Sequence, residues 1–197
     1  SFSVGTGARI VNTQKAHSQG SLITTDNSLD LAIEGGGFFQ VLLPDGRIGY
    51  TRNGAFSTNN EGVLTTSSGY VVQPEIAIPD GVTQINISRD GIISVLVAGA
   101  VGADAVGQMQ IADFTNRGGL QPIGESFFVE TDTSGDPIVG NPQDVGLGRL
   151  IQGALEASNV NVVTELVEMI ETQRAYEVSS KSITSVDEML RYISQNL

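Results

Sequence analysis

The sequence predicts a mainly β body, built as an antiparallel sandwich or open barrel, followed by one long C-terminal α-helix. Three observations lead there. All 24 glycines lie at or before Gly153 and all six prolines at or before Pro142, so 154–197 contains neither. Upstream of that boundary, short apolar runs are separated by turn residues at intervals of roughly 8–12 residues, the spacing of an all-β domain. Downstream, the apolar residues recur with a period of about 3.5, the spacing of a helix with a coiled-coil-type seam.

In chain order, residues 1–27 form a weakly patterned segment, expected to be an extended stalk. It starts Ser1-Phe2-Ser3-Val4-Gly5, without a starting Met or a signal peptide, and so reads as a piece of a longer chain. The β-rich body is expected over 28–141. Its strands are Leu29–Ile33, Phe38–Leu43, Ile48–Thr51, Val63–Thr66, Tyr70–Gln73, Gln84–Ile87, Ile92–Val95, Met109–Phe114 and Ser126–Glu130. Pro44-Asp45-Gly46, Asn53-Gly54, Asn59-Asn60-Glu61-Gly62 and Asp90-Gly91 supply the turns, because Gly and Asn tolerate the positive φ that tight hairpins demand. Gly35-Gly36-Gly37 reads as a bulge or tight bend feeding the strand that begins at Phe38. Residues 142–160 form a return stalk.

The helix is expected over 161–197. Asn159 or Asn161 can cap it, and Glu165 and Glu168 sit near the positive end of its dipole. Val162, Leu166, Met169, Gln173, Tyr176, Ser180, Ile183, Asp187, Leu190, Ser194 and Leu197 follow alternating steps of four and three, with Val163, Ile170, Val186 and Ile193 widening the stripe. Glu177–Lys181 and Asp187–Arg191 are i,i+4 pairs of the favourable orientation. A 37-residue helix would be roughly 55 Å long at about 1.5 Å per residue. A body of about 150 residues would be only about 40 Å across. The stripe therefore calls for a partner: another copy, or a segment of the longer chain. The competing expectation is a helix folded back over its own sheet. The assembly residues expected are Val162, Leu166, Met169, Ile170, Tyr176, Ile183, Leu190, Ile193 and Leu197.

Composition narrows the function. Ten basic residues stand against 22 acidic ones, a formal charge of −12, and no two basic residues are adjacent. That is the wrong sign for a nucleic acid or an anionic membrane surface. No run approaches 18 consecutive apolar residues, so membrane insertion is not expected. Cysteine is absent and His17 is the only histidine, which leaves no Cys/His metal site. No Gly-x-Ser-x-Gly elbow occurs. The Gly35-Gly36-Gly37 run fails the dinucleotide-loop spacing at Gln40 and is followed by a strand instead of a helix. Asp132-Thr133-Ser134-Gly135-Asp136 lacks the spacing of a calcium loop. No catalytic, cofactor-binding or metal residue is expected.

Several runs resemble one family. Ala157-Ser158-Asn159-Val160-Asn161-Val162, Met169-Ile170-Glu171-Thr172-Gln173-Arg174-Ala175-Tyr176-Glu177 and Asp187-Glu188-Met189-Leu190 are similar to the terminal signature of bacterial flagellar rod and hook proteins. Asn27 to Val41 and Tyr50-Thr51-Arg52-Asn53-Gly54-Ala55-Phe56 resemble that family's central domain. His17-Ser18-Gln19-Gly20 and Gly69–Pro74 are most similar to its distal-rod members. The resemblance implies a non-enzymatic subunit of the basal-body rod, exported unfolded by the flagellar type III system. It implies helical polymerisation into a periplasm-spanning shaft that passes torque to the hook. Its partners would be further copies, other rod and hook subunits, and the surrounding ring proteins. The family's N-terminal helix, which would pair with the C-terminal one, is missing from this chain. The alternative from another class is a secreted carbohydrate-binding or carbohydrate-active β protein.

Overall fold

The computed structural model describes Arg9, Val11, 15–99 and 102–195, and divides between Ala157 and Ser158 into two compact units. The first is mostly antiparallel β. Its strands are β1 (Leu22–Thr24), β2 (Leu31–Glu34), β3 (Phe38–Leu42), β4 (Ile48–Thr51), β5 (Phe56–Thr58), β6 (Leu64–Thr66), β7 (Val71–Gln73) and β8 (Val82–Ile87). They continue with β9 (Ile92–Val97), β10 (Asp104–Gln108), β11 (Ile111–Asp113), β12 (Gln121–Gly124), β13 (Phe127–Val129), β14 (Ile138–Gly140), β15 (Arg149–Gln152) and β16 (Ala154–Glu156). The second unit carries α1 (Val162–Gln195).

A nine-stranded sheet forms the centre in the order β12-β13-β4-β3-β7-β6-β5, with β11 pairing β3 and β14. β10-β9-β8 form a second sheet, and β15-β2 and β1-β16 are two-stranded. Among the described residues the strands do not close into a barrel. β3 shows why the body coheres. Successive side chains on a strand point to opposite faces. Phe39 enters the main aliphatic core with Leu31, Ile33, Ile93, Ile111 and Leu150, and Phe38 enters a second cluster with Tyr50, Phe114 and Leu120. Both faces of β3 are thus covered. Aromatic edge contacts bind the clusters, with ring centroids 5.0 Å apart for Phe39–Phe56 and 4.7 Å for Tyr50–Phe114.

Several strands escaped the sequence reading. β12 (Gln-Pro-Ile-Gly) and β10 (Asp-Ala-Val-Gly-Gln) carry the residues that ordinarily break strands, and neither has a buried residue. Within 142–160, β15 lies against β2 in the register Arg149↔Glu34 to Gln152↔Leu31, with Leu150 fully buried. β16 pairs with β1, Leu22↔Glu156 through Thr24↔Ala154. At Asn53-Gly54 the glycine is required by space: a Cβ there would fall on the Leu31 carbonyl oxygen.

Candidate assembly surface

α1 begins where the capping chemistry allows. Asn161 Oδ1 accepts from Val163 N at 3.0 Å and Thr164 N at 3.4 Å, and its carbonyl accepts the first helical bond from Glu165 N at 3.1 Å. Glu165 lies in the first turn, against the positive end of the helix. Among the described residues the ion pairs are Arg47–Asp45, Arg52–Glu156, Arg117–Asp113 and Arg149–Glu34. Glu177–Lys181 and Asp187–Arg191 do not close, so α1 has no charge clamps of its own.

No described residue of α1 is buried. Val162, Leu166, Met169, Ile170, Tyr176, Ile183, Leu190 and Ile193 are exposed by between 48% (Ile170) and 77% (Tyr176). Leu197 lies outside the described residues. Val167, Val178, Met189 and Tyr192 are also large, exposed and apolar or aromatic, and the 3.5-residue seam did not select them.

The apolar surface changes sides along the helix. At about 100° per residue, Val162, Val163, Leu166, Val167, Met169 and Ile170 centre on one direction. Ile183, Val186, Met189, Leu190 and Ile193 centre about 170° away from it. The residues between them, Glu171 to Ser182, are mostly polar. The flanking residues explain the turn of the stripe. Val163 and Ile170 widen the seam on one side, and Val186 and Ile193 widen it on the other.

The glycine run forms a polar knot. Gly35 and Gly37 have φ of +108° and +130°, whereas Gly36 has no positive φ. A Cβ on Gly36 would overlap Arg117 Nη2 and lie 2.9 Å from Asp113 Oδ2, so Gly36 is held by proximity, not by backbone conformation. Arg52 closes the knot. Its Nη1 donates to the Gly35 and Gly37 carbonyls at 2.9 and 2.8 Å, and Nη2 to the Ile33 carbonyl at 3.1 Å. Its Nε and Nη2 reach Glu156 Oε2 at 2.8 and 2.6 Å. In the sequence Arg52 stands only within the run Tyr50–Phe56 that resembles the family's central domain, with nothing local to state how many donors it uses. An arginine one residue after a buried strand, among turn residues rich in free carbonyls, was the available signal.

The remaining polar groups carry structural duties. His17 packs edge-on against Phe38 and Phe128, at 6.1 and 5.4 Å between ring centroids. Burial, and then Arg117, Lys15 and Arg52, hold its pKa below the usual imidazole value. The Thr131–Gly135 turn is closed by Ser134, whose Oγ accepts from Thr131 N at 2.9 Å and donates to the Thr131 carbonyl at 2.8 Å. Among the described residues no group of three His, Asp or Glu side chains is placed to hold a metal ion, and no helix is long and apolar enough to cross a membrane. A cleft of about 760 Å³, bordered by Asp26, Asn59, Asp80 and Gln84 among others, has no aromatic ring in its lining on which a sugar could stack.

Comparison with known proteins finds two family models along the chain. Residues 32–95 match the family model of the flagellar hook protein FlgE/F/G D1 domain, and 151–196 match that of the flagellar basal body rod FlgEFG protein C-terminal region. The flagellar basal-body rod protein FlgG of Buchnera aphidicola subsp. Acyrthosiphon pisum is 52% identical over 98% of this chain and 74% of that protein. The chain belongs to the flagellar basal-body rod protein family. FlgG of Caulobacter vibrioides is 45% identical over 98% of the chain and 73% of that protein. FlgF of the same organism is 34% identical over 91% of the chain and 69% of its own length. The similarity is thus greater to the FlgG branch, and the chain is a structural protein of the basal-body rod. The first match covers the glycine run, Arg52 and most of the main core, and the second covers Glu156 and α1.

Proposed function

We propose that this rod protein polymerises helically with copies of itself, using α1, into a shaft that carries torque toward the hook. One observation carries the proposal: a 34-residue helix whose large apolar side chains are exposed on two opposite sides. Burying each Val, Leu, Ile or Met side chain would stabilise an assembly by about 1.5–3 kcal/mol. A single straight partner helix covers one side only and leaves the other half in water. Two neighbours on opposite sides satisfy both halves, and such heterologous contacts need not close into a ring. Open-ended growth follows from the helix itself. Other rod and hook subunits continue the same surface at the ends of the polymer, and ring proteins meet the β bodies. A mechanical role needs no active centre: assays with glycan, ester and phosphate substrates should return background.

The test uses the full-length protein with two paired substitutions, Leu166→Asp with Ile170→Asp in the first half and Ile183→Asp with Leu190→Asp in the second. Each pair should halt growth at short oligomers by sedimentation and electron microscopy, while the β signal in circular dichroism is kept. Polymerisation of either variant at the wild-type rate overturns the two-sided reading. Polymerisation of both removes α1 from assembly altogether.

A further inference from the structure

We infer that Arg52 is a positioning residue which anchors the β1/β16 ribbon to the body, and that this anchor is the point through which force from α1 enters the sheet. The second clause rests on the reading of the chain as a force-carrying subunit; the first stands on geometry alone.

The ribbon is a weak element. It has two strands of three residues, and every residue of β1 is exposed. An isolated two-stranded hairpin is marginal in water. Yet the chain runs from β16 through Ala157 directly into the unit that carries α1, so any pull on the helix reaches the body along β16. Ala154 at the start of β16 is buried, and the Gly153 amide before it donates to the Asp30 carbonyl at 2.8 Å; toward the α1 end, three side chains hold the ribbon down. Glu156 on β16 receives Arg52 through Oε2 and the Gly20 amide through Oε1 at 2.9 Å. Gln19, just ahead of β1, donates to the Ile33 carbonyl at 3.0 Å and accepts from Gly35 N at 3.1 Å. Arg52 joins these to the turn between β2 and β3, beside the buried strands of the core.

Arg52 suits this position for a reason that Lys cannot match. A guanidinium has five N–H donors in a planar fork, and an ammonium has three on a point charge. Arg52 makes five donor contacts: two to Glu156 and one each to the carbonyls of Ile33, Gly35 and Gly37. The pair is mostly shielded, with side-chain exposures of 22% for Arg52 and 11% for Glu156. Removing one partner leaves the other charge poorly solvated, the costly way to break an ion pair.

Hydrogen exchange on the full chain tests the anchor. Arg52→Lys and Glu156→Gln should each raise exchange at the ribbon amides, 22–24 and 154–156, by about tenfold or more, with little change in β3 and β9. Arg149→Lys is the control, because the Arg149–Glu34 pair is about half exposed on both sides; it should leave the ribbon unchanged. Unaltered ribbon exchange in both test variants overturns the proposal. So does a rise shared equally by ribbon and core, or failure of both variants to fold, since Arg52 would then serve the whole core. These outcomes do not depend on polymerisation. If the anchor survives and polymers still form, swimming at high viscosity should fall in Glu156→Gln cells while rod length stays normal; unchanged swimming removes the force clause alone.

Discussion

Gly36 and Gly37 are adjacent, and the structure assigns them different reasons for being glycine, which a pair of substitutions separates. At Gly37 the φ of +130° lies where side chains are strained, and a Cβ would sit 3.0 Å from Cδ1 of the fully buried Ile111. Gly37→Val should therefore cost about 1–3 kcal/mol in backbone strain. Crowding of a packed core adds about 1–3 kcal/mol. The sum, about 2–6 kcal/mol, corresponds to a Tm lower by roughly 4–24 °C, at about 2–4 °C per kcal/mol for a chain of this size. Gly36→Ala meets no φ penalty. Its Cβ displaces Arg117 from Asp113, a pair bound through Nε at 2.7 Å and Nη2 at 2.6 Å and partly open to water, so it should cost about 1 kcal/mol. Differential scanning calorimetry on Gly37→Val, Gly36→Ala, Arg117→Ala and the Gly36→Ala/Arg117→Ala double variant distinguishes the causes. With Arg117 truncated, the overlap with its guanidinium is gone and only the 2.9 Å approach to the Asp113 carboxylate remains, so most of the cost should vanish; Gly37→Val should cost the same in either background. An unchanged Tm for Gly37→Val refutes the strain argument. An equal cost of Gly36→Ala with and without Arg117 refutes the steric one.

Two pH responses follow from the fold. The His17 pKa is lowered, chiefly by burial and then by Arg117, Lys15 and Arg52, so on acidification the unfolded chain takes up the proton first. His17 thus contributes fully above about pH 6.5, and the contribution is lost as pH falls from there through the folded value. His17→Gln should flatten the fall in Tm over that window, and an identical slope in both proteins would count against the packing of the neutral ring on Phe38 and Phe128. Tyr50 is shifted the other way, raised by burial and then by the charge and hydrogen bond of Glu130, whose Oε2 accepts from its hydroxyl at 3.1 Å. Above about pH 10 the unfolded state releases this proton while the folded state keeps it, so stability falls with alkalinity; Tyr50→Phe should lose less Tm there than wild type.

The fold was legible where a local signal and the tertiary outcome coincide. β3, β4 and β9 read as strands because apolar residues alternate or run between clear turn residues. α1 was legible from its apolar period together with the loss of Gly and Pro. β12, β14 and β15 were not, because each is made a strand by its neighbour. β15 has one fully buried side chain, Leu150, and owes its conformation to the ladder with β2. The apolar stripe of α1 was visible as a period, but a period of 3.5 states only that a seam exists. Its change of sides appears when Val163 and Ile170 are placed on one flank and Val186 and Ile193 on the other. The knot was least legible of all, since Arg52, Glu156 and Gln19 are far apart in sequence and their contacts go largely to backbone carbonyls and amides, which have no residue identity to read.

The exposed helix leads to a last prediction, on the coupling of folding to assembly. The polar groups of the body are satisfied from within: among the described residues no buried side-chain nitrogen or oxygen lacks a partner. α1 has no comparable support. Forming a helix costs nucleation entropy, and most helices in proteins recover it by burying one face. Here nothing is buried, the i,i+4 pairs do not close, and the middle of the helix carries Val178, Ser179, Ser180, Ser182, Ile183 and Thr184, residues of middling to low helix propensity. The free subunit should therefore hold α1 at the margin of stability, and neighbours should complete it. The 34 residues of α1 are 34/197, about 17% of the chain, and they are the only α-helix among the described residues. Far-ultraviolet circular dichroism should show helix well below that fraction at concentrations where sedimentation reports monomer, rising toward it as the polymer grows. The Ile183→Asp/Leu190→Asp protein should stay at the low value at every concentration. Helix at full content in dilute monomer would refute the coupling, and would mean that α1 reaches the growing polymer already formed.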